Sequence, residues 1–125
     1  MRFVQFANEK FTLHTKMRLK VLFFSNAKLS GAILSDADLK EANLPSTNLS
    51  GANLTDADLS NADLSNTYLT GANLTDVNLE DANLGNADLR GIDFTTTILK
   101  NATLDDAKYC KTKMPWGELN DDCEE

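Results

Sequence analysis

Leucine recurs at every fifth position through most of this chain, and the residues between the leucines are small or polar. The positions from 29 to 104 in steps of five hold fifteen Leu and Phe94. Two residues before each stands Ala in most repeats, with Thr47, Thr67, Val77, Ile92 and Thr97 in its place elsewhere. On an α-helix, at about 100° per residue, successive leucines would lie about 140° apart and scatter round the axis. On a flat strand, side chains alternate with period two, so an odd spacing would flip each Leu to the opposite face. Every Leu reaches one interior only if the chain turns a corner every fifth residue, always in the same sense. Asn, Asp, Ser, Thr and Gly fill the intervening positions, and these are the residues that build turns.

A second period sets the number of corners. Gly31, Gly51, Gly71 and Gly91 lie twenty residues apart, as do Asp36, Asp56 and Asp76. Twenty residues are four pentapeptides, so the pattern predicts a square coil, with about 4.8 Å between paired backbones. Residues 27–106 supply four such coils. Each buries its Leu and Ala against the coils above and below, so the chain reads as one repeat rod and not as a rod plus a separate core.

Ala37-Asp38-Leu39, Ala52-Asn53-Leu54 and Ala62-Asp63-Leu64 resemble the A(D/N)LXX signature of pentapeptide-repeat proteins. The resemblance spans about two thirds of the chain. It implies an all-β fold, a right-handed quadrilateral β-helix of about four coils with terminal caps. It does not by itself assign an activity, because function lies in sites carried on a fold.

The flanks differ from the repeats. In residues 11–23, Phe11, Leu13, Thr15, Met17, Leu19, Val21 and Phe23 alternate with Thr12, His14, Lys16, Arg18, Lys20 and Leu22. This predicts a half-buried strand, with a helix over 2–18 as the alternative. Residues 1–26 are read as an N-terminal cap, because an open coil end exposes apolar side chains and unpaired backbone. Residues 107–125 are read as a C-terminal cap loop and tail. Its order, Cys110-Lys-Thr-Lys-Met-Pro-Trp-Gly and a final Cys123, resembles the tail of some cyanobacterial members of the family, where the two cysteines close a loop. Such a bridge would contribute about 3 kcal/mol in the chain-entropy model. Disulfides are rare in reducing cytosol, so formation on purification is the favoured reading and the redox state in the cell stays open. Met114 or Trp116 is expected to pack on the last coil.

The net charge of −7 is unevenly spread. Residues 1–26 hold five basic and one acidic side chain, residues 27–106 four and thirteen, and residues 107–125 three and five. An acidic rod is not expected to bind nucleic acid directly along its length. The first residues lack the charged and apolar run of an export signal, the longest nearby apolar stretch being Val21 to Phe24. The expectation is a cytoplasmic monomer without a membrane span, or a protein of the thylakoid lumen or periplasm if an upstream signal has been removed.

Candidate chemistry is sparse. The single His14 lies outside the repeats, and no Cys–His pairing has useful spacing. Two cysteines and one distant His are too few to ligate zinc. The repeat also generates Asn-x-Ser/Thr sequons at Asn48, Asn53, Asn73 and Asn101, which carry no weight. No catalytic residue, cofactor or metal is therefore expected. The one feature beyond the needs of the repeat is an acidic cluster. Asp36, Asp56 and Asp76 fall in one column, with Asp38 and Asp58 in the next. Solvated corner carboxylates are the simplest reading; contact with a basic protein partner and Ca²⁺ binding are the others. Ile33, Tyr68 and Ile98 stand where Asn or Asp is usual, and are expected to point outward. The function expected is a non-enzymatic scaffold or protein-binding module of unspecified partner. The alternative is an acidic DNA mimic that binds a type II topoisomerase such as gyrase, as the resemblance allows. The short rod and a tail without an apolar helical stripe count against that alternative.

Overall fold

The structure is a computed structural model that describes residues 25–121 and Cys123. The strand or helix expected within residues 1–24 therefore lies outside the described residues. From residue 25 onward the chain winds as a square coil. The corner logic is visible at Leu29: the Ala32 amide donates to the Leu29 carbonyl at 3.0 Å, closing a four-residue turn. Its third residue, Gly31, has a φ of 70°, whereas Ser30 is not in the left-handed region. That combination is a type II turn, which requires a positive φ at its third residue. The same position from Asp36 to Asp106 is left-handed throughout, with φ between 56° and 76°, except at Thr96. Asn, Asp and Gly dominate there because they tolerate this region. A β-branched residue resists it, and Thr96 does not adopt it.

Between corners each side is only long enough for one ladder rung. Parallel bridges join most residues before a Leu to the one twenty residues on, such as Lys28 to Asn48 and Asp38 to Asp58. In each rung the upper Leu amide donates down and the lower residue's amide donates up, as with Leu29 N to Asn48 O (2.8 Å) and Asn48 N to Ala27 O (2.9 Å). Four outward columns result. The Lys28 side carries Lys28, Asn48, Tyr68, Asp88 and Lys108. The Ile33 side carries Ile33, Asn53, Asn73, Asp93 and Lys113. The Asp38 side carries Asp38, Asp58, Asn78 and Ile98, and the Asn43 side Asn43, Asp63, Asn83 and Thr103. Inside, the Leu and Ala ladders are buried from Leu29 to Leu89, with Ile92 and Phe94 fully buried after them. Thr47 and Thr67 replace Ala in this interior, and Thr67 satisfies its hydroxyl by donating to the Leu64 carbonyl at 2.7 Å.

The register runs on past residue 106. Lys108 pairs with Asp88 and Lys113 with Asp93, so Tyr109 and Met114 take Leu positions and Ala107 and Thr112 take Ala positions. Strand β1 (Thr112–Met114) then turns through Pro115-Trp116 into β2 (Gly117–Leu119), which pairs antiparallel beneath it. Met114 is 2% exposed and belongs to the core, whereas Trp116 is 67% exposed. Of the two side chains expected to pack on the last coil, Met114 does so. Trp116 does not, because the hairpin turn carries it off the coil. Leu99 and Leu104 remain half-buried at this end. Cys110 and Cys123 are joined as a disulfide.

Candidate interaction surface

The residue before each Leu performs a local task that decides how much of the acidic cluster is available. Its side-chain oxygen accepts the amide two residues on, bracing the corner as an Asx turn. Asn53 Oδ1 accepts from the Thr55 amide at 3.1 Å and from the Thr55 hydroxyl at 2.7 Å. Asp58 does the same for Ser60 at 3.0 and 2.7 Å, and Asp63 for Ser65 at the same distances. The repeat's preference for Asn or Asp is thus a preference for a short side chain ending in an acceptor. This role was missed in the sequence although its signal is present: Asn or Asp, then Leu, then Ser or Thr.

Against that background the five candidate carboxylates divide into two kinds. Asp38 and Asp58 face each other across a rung of the Asp38 side and are half-buried. Asp38 Oδ1 accepts from the Lys40 amide at 3.3 Å, and Lys40 Nζ lies 3.6 Å from Asp58 Oδ2. Lys40 therefore offsets the like-charge contact between the two aspartates. Asp36, Asp56 and Asp76 occupy the left-handed corner position between the Ile33 and Asp38 sides, and all three are exposed. The five lie on one side and its adjoining corner. Among the described residues, no group of three or more His, Cys, Asp or Glu side chains converges as a metal-ligand set. No helix of the described residues is long and apolar enough to cross a membrane.

Ion pairs also form outside this cluster. Arg90 grips Asp88 through both carboxylate oxygens, Nε to Oδ1 at 2.8 Å and Nη2 to Oδ2 at 2.6 Å. Asp88 is 8% exposed. Hydrogen bonding from the Arg90 guanidinium holds its carboxyl below the usual range, against a smaller opposing effect of burial. The Asp93 carboxyl is lowered chiefly by the Thr95 hydroxyl and amide. The Lys100 ammonium is raised by its 3.0 Å contact with Glu80, an exposed pair of little energetic weight. Tyr68 and Ile98 do point outward, at 54% and 51% exposure, and Ile33 is half-buried.

The pentapeptide-repeat family model matches residues 24–61, 47–85 and 78–108 in eight copies. Among solved structures, the pentapeptide repeat protein Rfr23 of the cyanobacterium Cyanothece 51142 is 40% identical with a TM-score of 0.70. That match covers 72% of this chain and 62% of the other, so the chain spans less than two thirds of that protein's length. The pentapeptide repeat protein alr5209 of Nostoc Pcc 7120 is 30% identical with a TM-score of 0.51, covering 78% of this chain and 77% of that one. No curated protein matches the sequence. The five-residue interior ladder, the twenty-residue rungs and these matches agree: the chain belongs to the pentapeptide-repeat family and folds as its right-handed quadrilateral β-helix.

Proposed function

We propose that the protein is a non-enzymatic binding module that offers its acidic corner to a basic segment of a partner protein. The observation that carries this reading is the column of Asp36, Asp56 and Asp76, exposed at successive corners and flanked by Asp38 and Asp58. Exposed like charges about 4.8 Å apart destabilise the rod slightly. A partner's Lys or Arg side chains, spaced along an extended segment, would relieve that repulsion and gain charge-assisted hydrogen bonds. Asp38 and Asp58 contribute field more than contacts, because their Oδ1 atoms brace the corners. Family membership supports a binding rather than a catalytic role. If the Cys110–Cys123 bridge persists in the cell, it calls for an oxidising compartment such as a thylakoid lumen or periplasm; a bridge formed on purification leaves the cytoplasmic reading in place.

The test is capture of partners from a cyanobacterial extract on the immobilised chain and on an Asp36→Asn/Asp56→Asn/Asp76→Asn variant. A protein retained by the first, lost by the second and released at about 0.5 M salt is the expected result. Equal retention by both would overturn the assignment. Inhibition of gyrase supercoiling by the purified chain would instead favour the DNA-mimic reading.

A further inference from the structure

The ladder between the third and fourth coils is broken on one side. On the Lys28, Asp38 and Asn43 sides the rungs are intact: Leu69 N donates to Asp88 O at 3.0 Å, Leu79 N to Ile98 O at 2.8 Å and Leu84 N to Thr103 O at 2.7 Å. On the Ile33 side, Asn73 pairs upward with Asn53 and Asp93 pairs downward with Lys113. Among the described residues, however, no rung joins Asn73 to Asp93, and the Leu74 and Asp93 amides make no backbone bond across the gap. At the adjoining corner, the Asp76 amide donates to the Thr96 hydroxyl oxygen at 2.9 Å, where the equivalent Asp56 amide donates to the Thr75 carbonyl at 3.0 Å. The Thr97 hydroxyl donates to the Leu74 carbonyl at 2.8 Å.

Volume explains the break. The two inward positions of this side hold Ala32 and Leu34, Ala52 and Leu54, then Ala72 and Leu74 in the first three coils, but Ile92 and Phe94 in the fourth. Both enlargements fall on one side of one coil, and both side chains are fully buried. An interior already packed by Ala and Leu accommodates them by moving backbone. Thr96, which declines the left-handed corner, lies two residues after Phe94.

We infer that this seam is a built-in opening at which the fourth coil, with its C-terminal hairpin, hinges on the other three sides and separates from the rod before the earlier coils do. Stability in a solenoid is a sum over neighbouring interfaces, so one weakened interface defines a cooperative boundary.

Native-state amide exchange of the full chain tests this. Leu74 and Asp93 amides are expected to exchange about 100-fold faster than Leu54 and Asn73, their counterparts one coil earlier. Leu69, Leu79 and Leu84, which cross the same junction, are expected to share one opening below that of Leu49, Leu59 and Leu64. In an Ile92→Ala/Phe94→Leu variant, which restores the repeat, the two sets are expected to converge. Equal protection of Leu74 and Leu54 in the unaltered chain would overturn the inference whether or not the variant folds. So would a difference that persists in a folded variant, because simple fraying from the chain end would leave it unchanged.

Discussion

Pro45 stands where Asn43 needs an amide. In other repeats the Asn or Asp before the Leu accepts from the N–H two residues on, but Pro45 has none, and Asn43 Oδ1 is buried without a partner. Proline suits the second position of a type II turn through its fixed φ, so the corner keeps its shape while the brace is lost. The expected consequence is an asymmetry between equivalent sites. Asn53→Ala, which removes an acceptor used twice by Thr55, is expected to cost about 1–2 kcal/mol. Asn43→Ala is expected to cost less than about 0.5 kcal/mol, because it removes an unsatisfied group. Denaturant midpoints at unchanged slope measure both, and equal costs would mean that the Asx brace does not stabilise the corner.

The same bond separates inside from outside on adjacent residues. Leu59 is 1% exposed, and Leu59→Asp is expected to prevent folding by burying an unpaired carboxylate. Asp58→Asn keeps the Oδ1 that Ser60 uses and removes a like charge opposite Asp38. It also gives up the exposed Lys40 contact, and its net effect is expected to stay within about 0.5 kcal/mol of zero. Asp58→Ala, lacking the acceptor, is expected to lose about 1 kcal/mol more. Circular dichroism melts of the three variants check the ranking.

Acid sensitivity is expected to trace to Asp88. Its folded carboxyl is depressed by Arg90, so its contribution is fully present above the ordinary value of about 3.9 and is lost as pH falls through the folded value. With Arg90 partly exposed, solvent screening leaves about 1 kcal/mol at neutral pH. Asp88→Asn keeps the Arg90 amide as a turn donor but loses the ion pair. The gap between the unaltered chain and Asp88→Asn is therefore expected near pH 7 and to narrow progressively as pH falls below the ordinary carboxylate value of about 3.9. A gap unchanged at pH 2.5 would show that packing, not charge, is responsible.

The coil itself was legible because its cause is one-dimensional. Leu at every fifth position and Gly every twentieth state the register without knowledge of any contact, and the interior from Leu29 to Phe94 follows that register. Outward residues were harder to read. Ile33, Tyr68 and Ile98 were placed by exception to the repeat, but the bracing role of Asn53 or Asp58 concerns a hydrogen bond two residues away, which a hydrophobic pattern does not display. The acidic cluster was visible as columns, yet only geometry separates the exposed Asp36, Asp56 and Asp76 from the engaged Asp38 and Asp58. The break at Asn73 and Asp93 depends on two volumes adding on one side, Ile92 beside Phe94, and each substitution alone reads as a conservative apolar change.

The hairpin at the C-terminal end makes the last distinction testable. Met114 sits twenty residues after Phe94, in the Leu column, and is buried; Trp116 lies beyond it on the turn into β2 and is exposed. Met114→Ala is therefore expected to cost about 2–5 kcal/mol through lost burial and a residual cavity. Trp116→Ala is expected to fall within about 0.5 kcal/mol of zero. Since Trp116 is the sole tryptophan, its emission is expected to resemble that of free tryptophan and to be readily quenched by acrylamide, with the Cys110–Cys123 bridge intact. Blue-shifted, poorly quenched emission would place Trp116 over the half-buried Leu99 and Leu104, and would mean that the hairpin folds back across the end of the rod.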